Sequence, residues 1–240
     1  MPSLGARGLP VPGYLTVHYW WAYVHPRAVR FFERQWLVSL ILWGNYGRLR
    51  AAVLAELGQA INTKVLQIAC AYGDITPKLV DRLQGPGSLD VIDILPVQLG
   101  NLSAKLGPND RVSLHCMNSA ALTFEAESFD QVLMFFLLHE QPADVRLSTL
   151  REAVRVLKPG GSLFIVDYSK PSWFHPLRYL WKPVLRLLEP FAHDLLDRGI
   201  QCWIPQDLPL TVTHQRDFFG GLYQMIRLER DPAQGKQSDQ

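Results

Sequence analysis

Cysteine is scarce in this 240-residue chain: Cys70, Cys116 and Cys202 are widely separated and odd in number. They offer neither a disulfide framework nor zinc-site spacing, which points to a reducing cytoplasm. Charge of one sign is equally scarce. The 24 Lys and Arg against 22 Asp and Glu leave a net charge of +2, too little to indicate nucleic-acid binding. Long apolar runs are missing as well. The longest are Trp36–Trp43, broken by Ser39, and Val132–Leu138. Both fall well short of the roughly 20 residues that a spanning helix needs. The N-terminal stretch has no apolar segment of the kind found in a secretory signal. Internal repeats and low-complexity tracts are lacking too. What remains, with 48% hydrophobic residues, is ample core for one large domain or a domain with an appendage.

The chain is organised around Lys64–Asp74. The apolar Val65, Leu66 and Ile68 read as a buried strand. Small residues follow (Ala69, Cys70, Ala71 and Gly73), and a helix opens near Asp74 or Thr76. Strand, small-residue turn and helix bring backbone N–H groups close to a ligand. From there strands are expected near 64–69, 88–93, 110–115, 129–136 and 161–167, with helices near 75–84, 95–106 and 143–157. A final strand pair fits 208–214 and 222–229. Such alternation predicts an α/β fold with a mostly parallel sheet and helices on both faces.

Four divisions follow. Residues 1–13 read as a flexible arm, 14–59 as an N-terminal helical cap, 60–230 as the α/β domain with a helical insert at 172–198, and 231–240 as a disordered tail. The cap is rich in aromatics, with Arg27, Arg30 and Arg34 among them. That composition suits a lipid–water boundary or a large apolar ligand, or else a plain cap helix with its arginines in water.

Four motifs carry the chemistry. They are the turn Gln67–Gly73; Asp93, which ends the second strand about 20 residues later, where an acid can accept ribose hydroxyls; Met117–Phe124; and Arg155-Val156-Leu157-Lys158-Pro159-Gly160-Gly161. Together they resemble the class I S-adenosylmethionine-dependent methyltransferases, and Tyr168-Ser169-Lys170-Pro171 resembles their quinone C-methyltransferase branch. That resemblance implies a Rossmann-like fold with a seven-stranded sheet. It implies S-adenosylmethionine beside Gln67, Ala69, Cys70, Ala71, Gly73, Asp93, Ile94, Asn118 and Ser119.

The departures narrow the reading. The usual turn is acid-x-Gly-x-Gly-x-Gly, but here Gln67 replaces the acid and Ala69 and Ala71 replace two glycines. Asn118 replaces a later acid that usually faces the adenine amino group. With LLHEQP at 137–142 and the aromatic cap, this combination resembles the rhodoquinone biosynthesis family. That likeness implies exchange of a ubiquinone methoxy group for an amino group. S-adenosylmethionine would then be the amino donor, with a divalent metal such as manganese. A conventional quinone C- or O-methyltransferase is the alternative.

Gln67 is expected to hydrogen-bond the methionyl amine without favouring its protonation. The alanines are tolerable in the turn where φ is negative. His139 and Glu140, after the fourth strand, are the first candidates for catalysis and metal binding, with His175 and His193 closing over the same space and His18 and His25 as further donors. A structural role for the His–Glu pair stays open. The implied partners are a polyprenyl quinone and the inner face of a membrane, touched peripherally, with no nucleic acid.

Overall fold

The computed structural model describes residues 10–18, 29, 31–173, 175 and 191–232. The start of the arm, most of the stretch holding Arg27 and Arg30, His25, most of the expected insert and most of the tail lie outside the described residues.

Seven strands form one sheet: β1 (Lys64–Ile68), β2 (Ser88–Asp93), β3 (Val112–Cys116), β4 (Phe129–Phe135), β5 (Leu157–Tyr168), β6 (Leu210–Phe218) and β7 (Tyr223–Arg230). Their order is β3-β2-β1-β4-β5-β7-β6. Neighbouring pairs from β3 to β5 are parallel. β7 is antiparallel to both β5 and β6. Val65, Leu66 and Ile68 of β1 are fully buried, as a central strand covered on both faces requires. The order reverses between β1 and β4. In open α/β sheets, the crevice beyond the strand ends at such a reversal is where ligands bind.

The helices are α1 (Gly13–His18), α2 (Gln35–Ile41), α3 (Tyr46–Leu57), α4 (Ile75–Val80), α5 (Pro96–Leu106), α6 (Ala143–Val156) and α7 (Ala192–Arg198). The expected cap helix is broken between α2 and α3, where Trp43 (φ 51°) and Gly44 (φ 73°) turn left-handed. α3 belongs to the main core. Its Leu49, Val53 and Leu57 are buried, and it packs on α4, β5 and β7.

Two boundaries differ from expectation for identifiable reasons. α4 stops at Val80 rather than near 84. Ile61 N–H donates to Arg82 O (2.8 Å) and Gln84 N–H to Ile61 O (2.9 Å), so this segment bonds backwards instead of continuing the helix. β5 starts at Leu157 rather than 161. Leu157 pairs with Phe129 and Ser162 with Gln131, leaving the four residues 158–161 as a bulge. There Gly160 has φ 75°, and a Cβ on Gly161 would lie 2.9 Å from Asp130 O.

Candidate active site

A cavity of about 340 Å³ opens at the β1/β4 reversal, within the range of roughly 300–1,000 Å³ usual for ligand sites. Its floor is the β1 turn, Ala69, Cys70, Ala71 and Tyr72. One wall is the end of β2 and the loop after β3: Asp93, Ile94, Leu95, Gln98, Met117, Asn118 and Ser119. The other wall follows β4 and β5: Phe136, Leu137, His139, Glu140, Gln141 and Tyr168. Tyr14, Phe32, Val38, Ile41, Leu42 and Tyr46 form the roof.

The β1 turn is held by its neighbours. Ala69 has φ 73°, so the condition of negative φ under which an alanine is readily tolerated is not met at this position. This is a backbone region that costs a residue with a Cβ about 1–2 kcal/mol. Gln67 accounts for how the turn is held. Its side chain is fully buried, its Nε2 donates to Ala69 O (3.0 Å), and its Oε1 accepts from Thr76 Oγ1 (2.9 Å). In place of the expected contact with an amine, Gln67 lies beneath the turn and is not among the cavity-lining residues. Gly73 does not line the cavity either. With φ 87°, it sits where a Cβ would come within 2.4 Å of Tyr46 Oη. Gly73 N–H donates to Glu33 Oε1 (3.1 Å), and Lys105 Nζ donates to Gly73 O (2.7 Å) and to Glu33. The cap segment is thereby tied to the turn.

Asp93 anchors the first wall. Its Oδ2 accepts from Cys70 N–H (2.9 Å) and its Oδ1 from Leu95 N–H (2.8 Å). Burial pushes its carboxyl from 3.8 up to about 6, while the backbone N–H groups pull the other way. Burial, with Asp93 beside it, also holds the Cys70 thiol well above its ordinary range. Cys70 is therefore a small lining residue rather than a thiolate nucleophile. Asn118 Oδ1 accepts from Ala120 N–H (2.9 Å), so one lone pair of the oxygen expected to face adenine closes its own loop.

The second wall is a side-chain network. Asp167, fully buried, accepts from the backbone N–H groups of Leu138 (2.8 Å), His139 (3.3 Å) and Tyr168 (2.7 Å). It also accepts from His139 Nδ1 (2.8 Å). An acceptor so surrounded by donors fixes the tautomer: Nδ1 carries the hydrogen, and Nε2 of the neutral ring carries the lone pair. Nε2 lies 3.8 Å from Glu140 Oε1. The ring is edge-on to Tyr168 (4.9 Å) and Phe136 (6.0 Å). Arg146, fully buried, donates to Leu138 O, Gln141 O and Phe191 O at 2.8–3.0 Å. Gln141 Nε2 donates to Ser119 Oγ (3.0 Å) and Thr149 Oγ1 (3.1 Å), joining the two walls. Burial, followed by the carboxylates of Glu140, Asp93 and Asp144, pushes the Tyr14 phenol upward. It stays a protonated hydrogen-bond donor.

His175 and His193 are not among the cavity-lining residues. His175 packs edge-on to Phe219 (4.8 Å) against Gly220, and His193 lies on α7. Among the described residues no group of three His, Cys, Asp or Glu is placed to hold a metal. His139 and Glu140 supply two donors, which falls short of a protein-built centre.

The profile of the ubiE/COQ5 methyltransferase family matches residues 37–196. The chain belongs to that family. It is 32% identical over 137 residues to the demethylmenaquinone methyltransferase of Lactiplantibacillus plantarum, covering 56% of this chain and 57% of that protein. It is 29% identical over 136 residues to the enzyme of the same name from Lactococcus lactis, covering 56% and 53%. The chain thus spans little more than half the length of these relatives. Among solved structures, it resembles the N-methyltransferase NodS from Bradyrhizobium japonicum at 17% identity and TM-score 0.57, covering 77% of this chain and 95% of that one. It also resembles a SAM-dependent methyltransferase from Aquifex aeolicus at 18% identity and TM-score 0.54, covering 86% and 98%. These structures share the fold, a Rossmann-like class I methyltransferase sheet.

As a ubiE/COQ5-family member, the chain has residues suited to S-adenosylmethionine. Asp93 can accept ribose hydroxyls, and the Ala69–Tyr72 floor lies open beside it. Gln98 and Asp167 were not singled out from sequence, while Tyr14, Tyr72, Gln141 and Tyr168 fall within its aromatic cap and motifs without a role of their own. Asp167, two residues before Ser169-Lys170-Pro171 at the end of a strand, carried a signal that could have found it.

Proposed function

We propose that the protein is an S-adenosylmethionine-dependent transferase acting on the ring of a polyprenyl quinone or quinol, at the inner face of a membrane. The observation that carries this reading is one cavity with a buried carboxylate, Asp93, on one wall and an oriented imidazole, His139, within aromatic residues on the other. Family membership supports methyl transfer to a ring carbon. S-adenosylmethionine supplies an electrophilic methyl group on its sulfonium. Phe136 and Tyr168 hold the ring. His139 Nε2 takes the proton of a quinol hydroxyl, a general-base role that Asp167 orients. The electron pair moves to the ring carbon, which bonds the methyl as its bond to sulfur breaks. The hydrogen on that carbon then leaves as a proton and the aromatic ring is restored.

A second reading rests on the turn. With Gln67 beneath it, no carboxylate of the turn favours a charged methionyl amine, and a neutral amine can attack a quinone. This reading is the exchange of a ubiquinone methoxy group for the donor's amino group. The amine adds to the ring carbon, and methoxide leaves and takes the amine proton as methanol. Tautomerisation to an imine, which reduces the ring, followed by hydrolysis releases the donor skeleton as a keto acid and leaves rhodoquinol, the reduced form of rhodoquinone. Incubation with the donor and either quinol or ubiquinone, followed by the mass of the extracted lipid, separates the two. Gain of CH₂ marks methyl transfer, and exchange of OCH₃ for NH₂ marks amino transfer. Unchanged lipids would overturn both.

A further inference from the structure

We infer that α2 is the surface on which the protein docks to an anionic bilayer, and that a prenylated ring reaches the cavity past this helix. The passage rests on the quinone reading; the docking does not.

Trp36 and Leu40 stand at i and i+4 on one stripe of α2, and Trp43 follows in the left-handed turn just past its end. Their exposures are 58%, 66% and 44%, a waste of apolar area for a surface that meets only water. The opposite side of the same segment, Val38 and Leu42, is buried and roofs the cavity. Ile41 belongs to both sides: it lines the cavity and is 39% exposed. Ile41 thus stands where the cavity lining meets the Trp36 and Leu40 side of α2.

Charge selects the occupant. Up to residue 54 the sequence holds Arg7, Arg27, Arg30, Arg34, Arg48 and Arg50 against one acid, Glu33; Arg50 is held by Asp74, while Arg34 and Arg48 are exposed. Glu33 is engaged by Lys105, Asn101 and Gly73 N–H. Exposed Arg34 lies over the Phe31 ring at 5.5 Å. Tryptophan and leucine flanked by arginine match a bilayer with anionic headgroups. Among the described residues no helix is long and apolar enough to cross a membrane, so the contact is interfacial.

The test is co-sedimentation of the full chain with phosphatidylglycerol-containing vesicles and with pure phosphatidylcholine vesicles, for wild type and Trp36→Ser/Leu40→Ser. Neither residue lines the cavity. Wild type is expected to sediment with the anionic vesicles, and the double variant to partition about tenfold or more weakly. S-adenosylhomocysteine binding, which reports an intact fold, should be equal in both. Turnover of a long-tailed quinone in vesicles should fall in the variant, while that of a short-tailed, water-soluble quinone persists. Wild type left in the supernatant would overturn the docking surface, as would equal binding by the variant or a dimer that the variant dissolves. Vesicle binding through Trp36 and Leu40 by a protein that alters no quinone keeps the surface and removes the reaction.

Discussion

At one wall of the cavity the chain relies on backbone and one carboxylate. Ala69 is bent into a left-handed turn, Gln67 braces it from below, and Asp93 gathers the N–H groups of Cys70 and Leu95. At the other wall it relies on side chains. Asp167 orients His139, Arg146 ties down the loop carbonyls, and aromatic rings enclose the imidazole. The first arrangement suits a ligand with fixed polar groups, because rigid backbone costs little further ordering on binding. The second suits a mainly apolar ring on which one proton must move. The two walls should therefore fail separately.

The largest effect is expected at the second wall. His139→Ala should lower turnover by about 10²–10⁴-fold, the usual worth of a general base, while donor affinity in titration calorimetry stays unchanged. A parallel loss of donor affinity would merge the two walls. At the first wall, Asp93→Asn should weaken donor binding by about tenfold or more, the worth of hydrogen bonds to a charged acceptor. The same variant tests a pH dependence. Asp93 is raised from 3.8 to about 6, so between these values the folded, donor-free state holds a proton that the unfolded state releases. Its contribution to stability is greatest below the unfolded value and falls as pH rises through about 6, by about 3 kcal/mol for a shift near two units. Donor binding needs the carboxylate and should strengthen over the same window. Denaturant melts and donor titrations of wild type against Asp93→Asn should show these opposite slopes.

How far the sequence disclosed each wall follows from the same contrast. The sheet, its parallel run and its final antiparallel pair were legible because buried strands read as apolar runs with turn residues between them. Asp93 was legible because a strand end fixes its position. Ala69's positive φ was not, since Ala69 N–H donates to Ile92 O on the neighbouring strand, a long-range bond that no local pattern announces. The Asp167–His139 pair joins residues 28 apart, and no local pattern links them. The tie between the cap and the β1 turn is illegible for the same reason: Glu33, Lys105 and Gly73 meet across three separate segments.

The smallest expected effect concerns the turn. Ala69→Gly relieves left-handed strain of about 1–2 kcal/mol but gives the unfolded chain more freedom, worth about 0.4–1 kcal/mol. A net gain of up to about 1.5 kcal/mol in denaturant melts is expected, with donor affinity preserved. A loss of stability would mean that the turn is not strained.

The most direct measurement of the central claim is a single turnover with donor labelled with carbon-13 at its methyl group and nitrogen-15 at its amino group, read by mass in the extracted quinone. One of the two labels should reach the ring in wild type and be lost in His139→Ala. Donor bound at full stoichiometry with neither label ever in the lipid would contradict it.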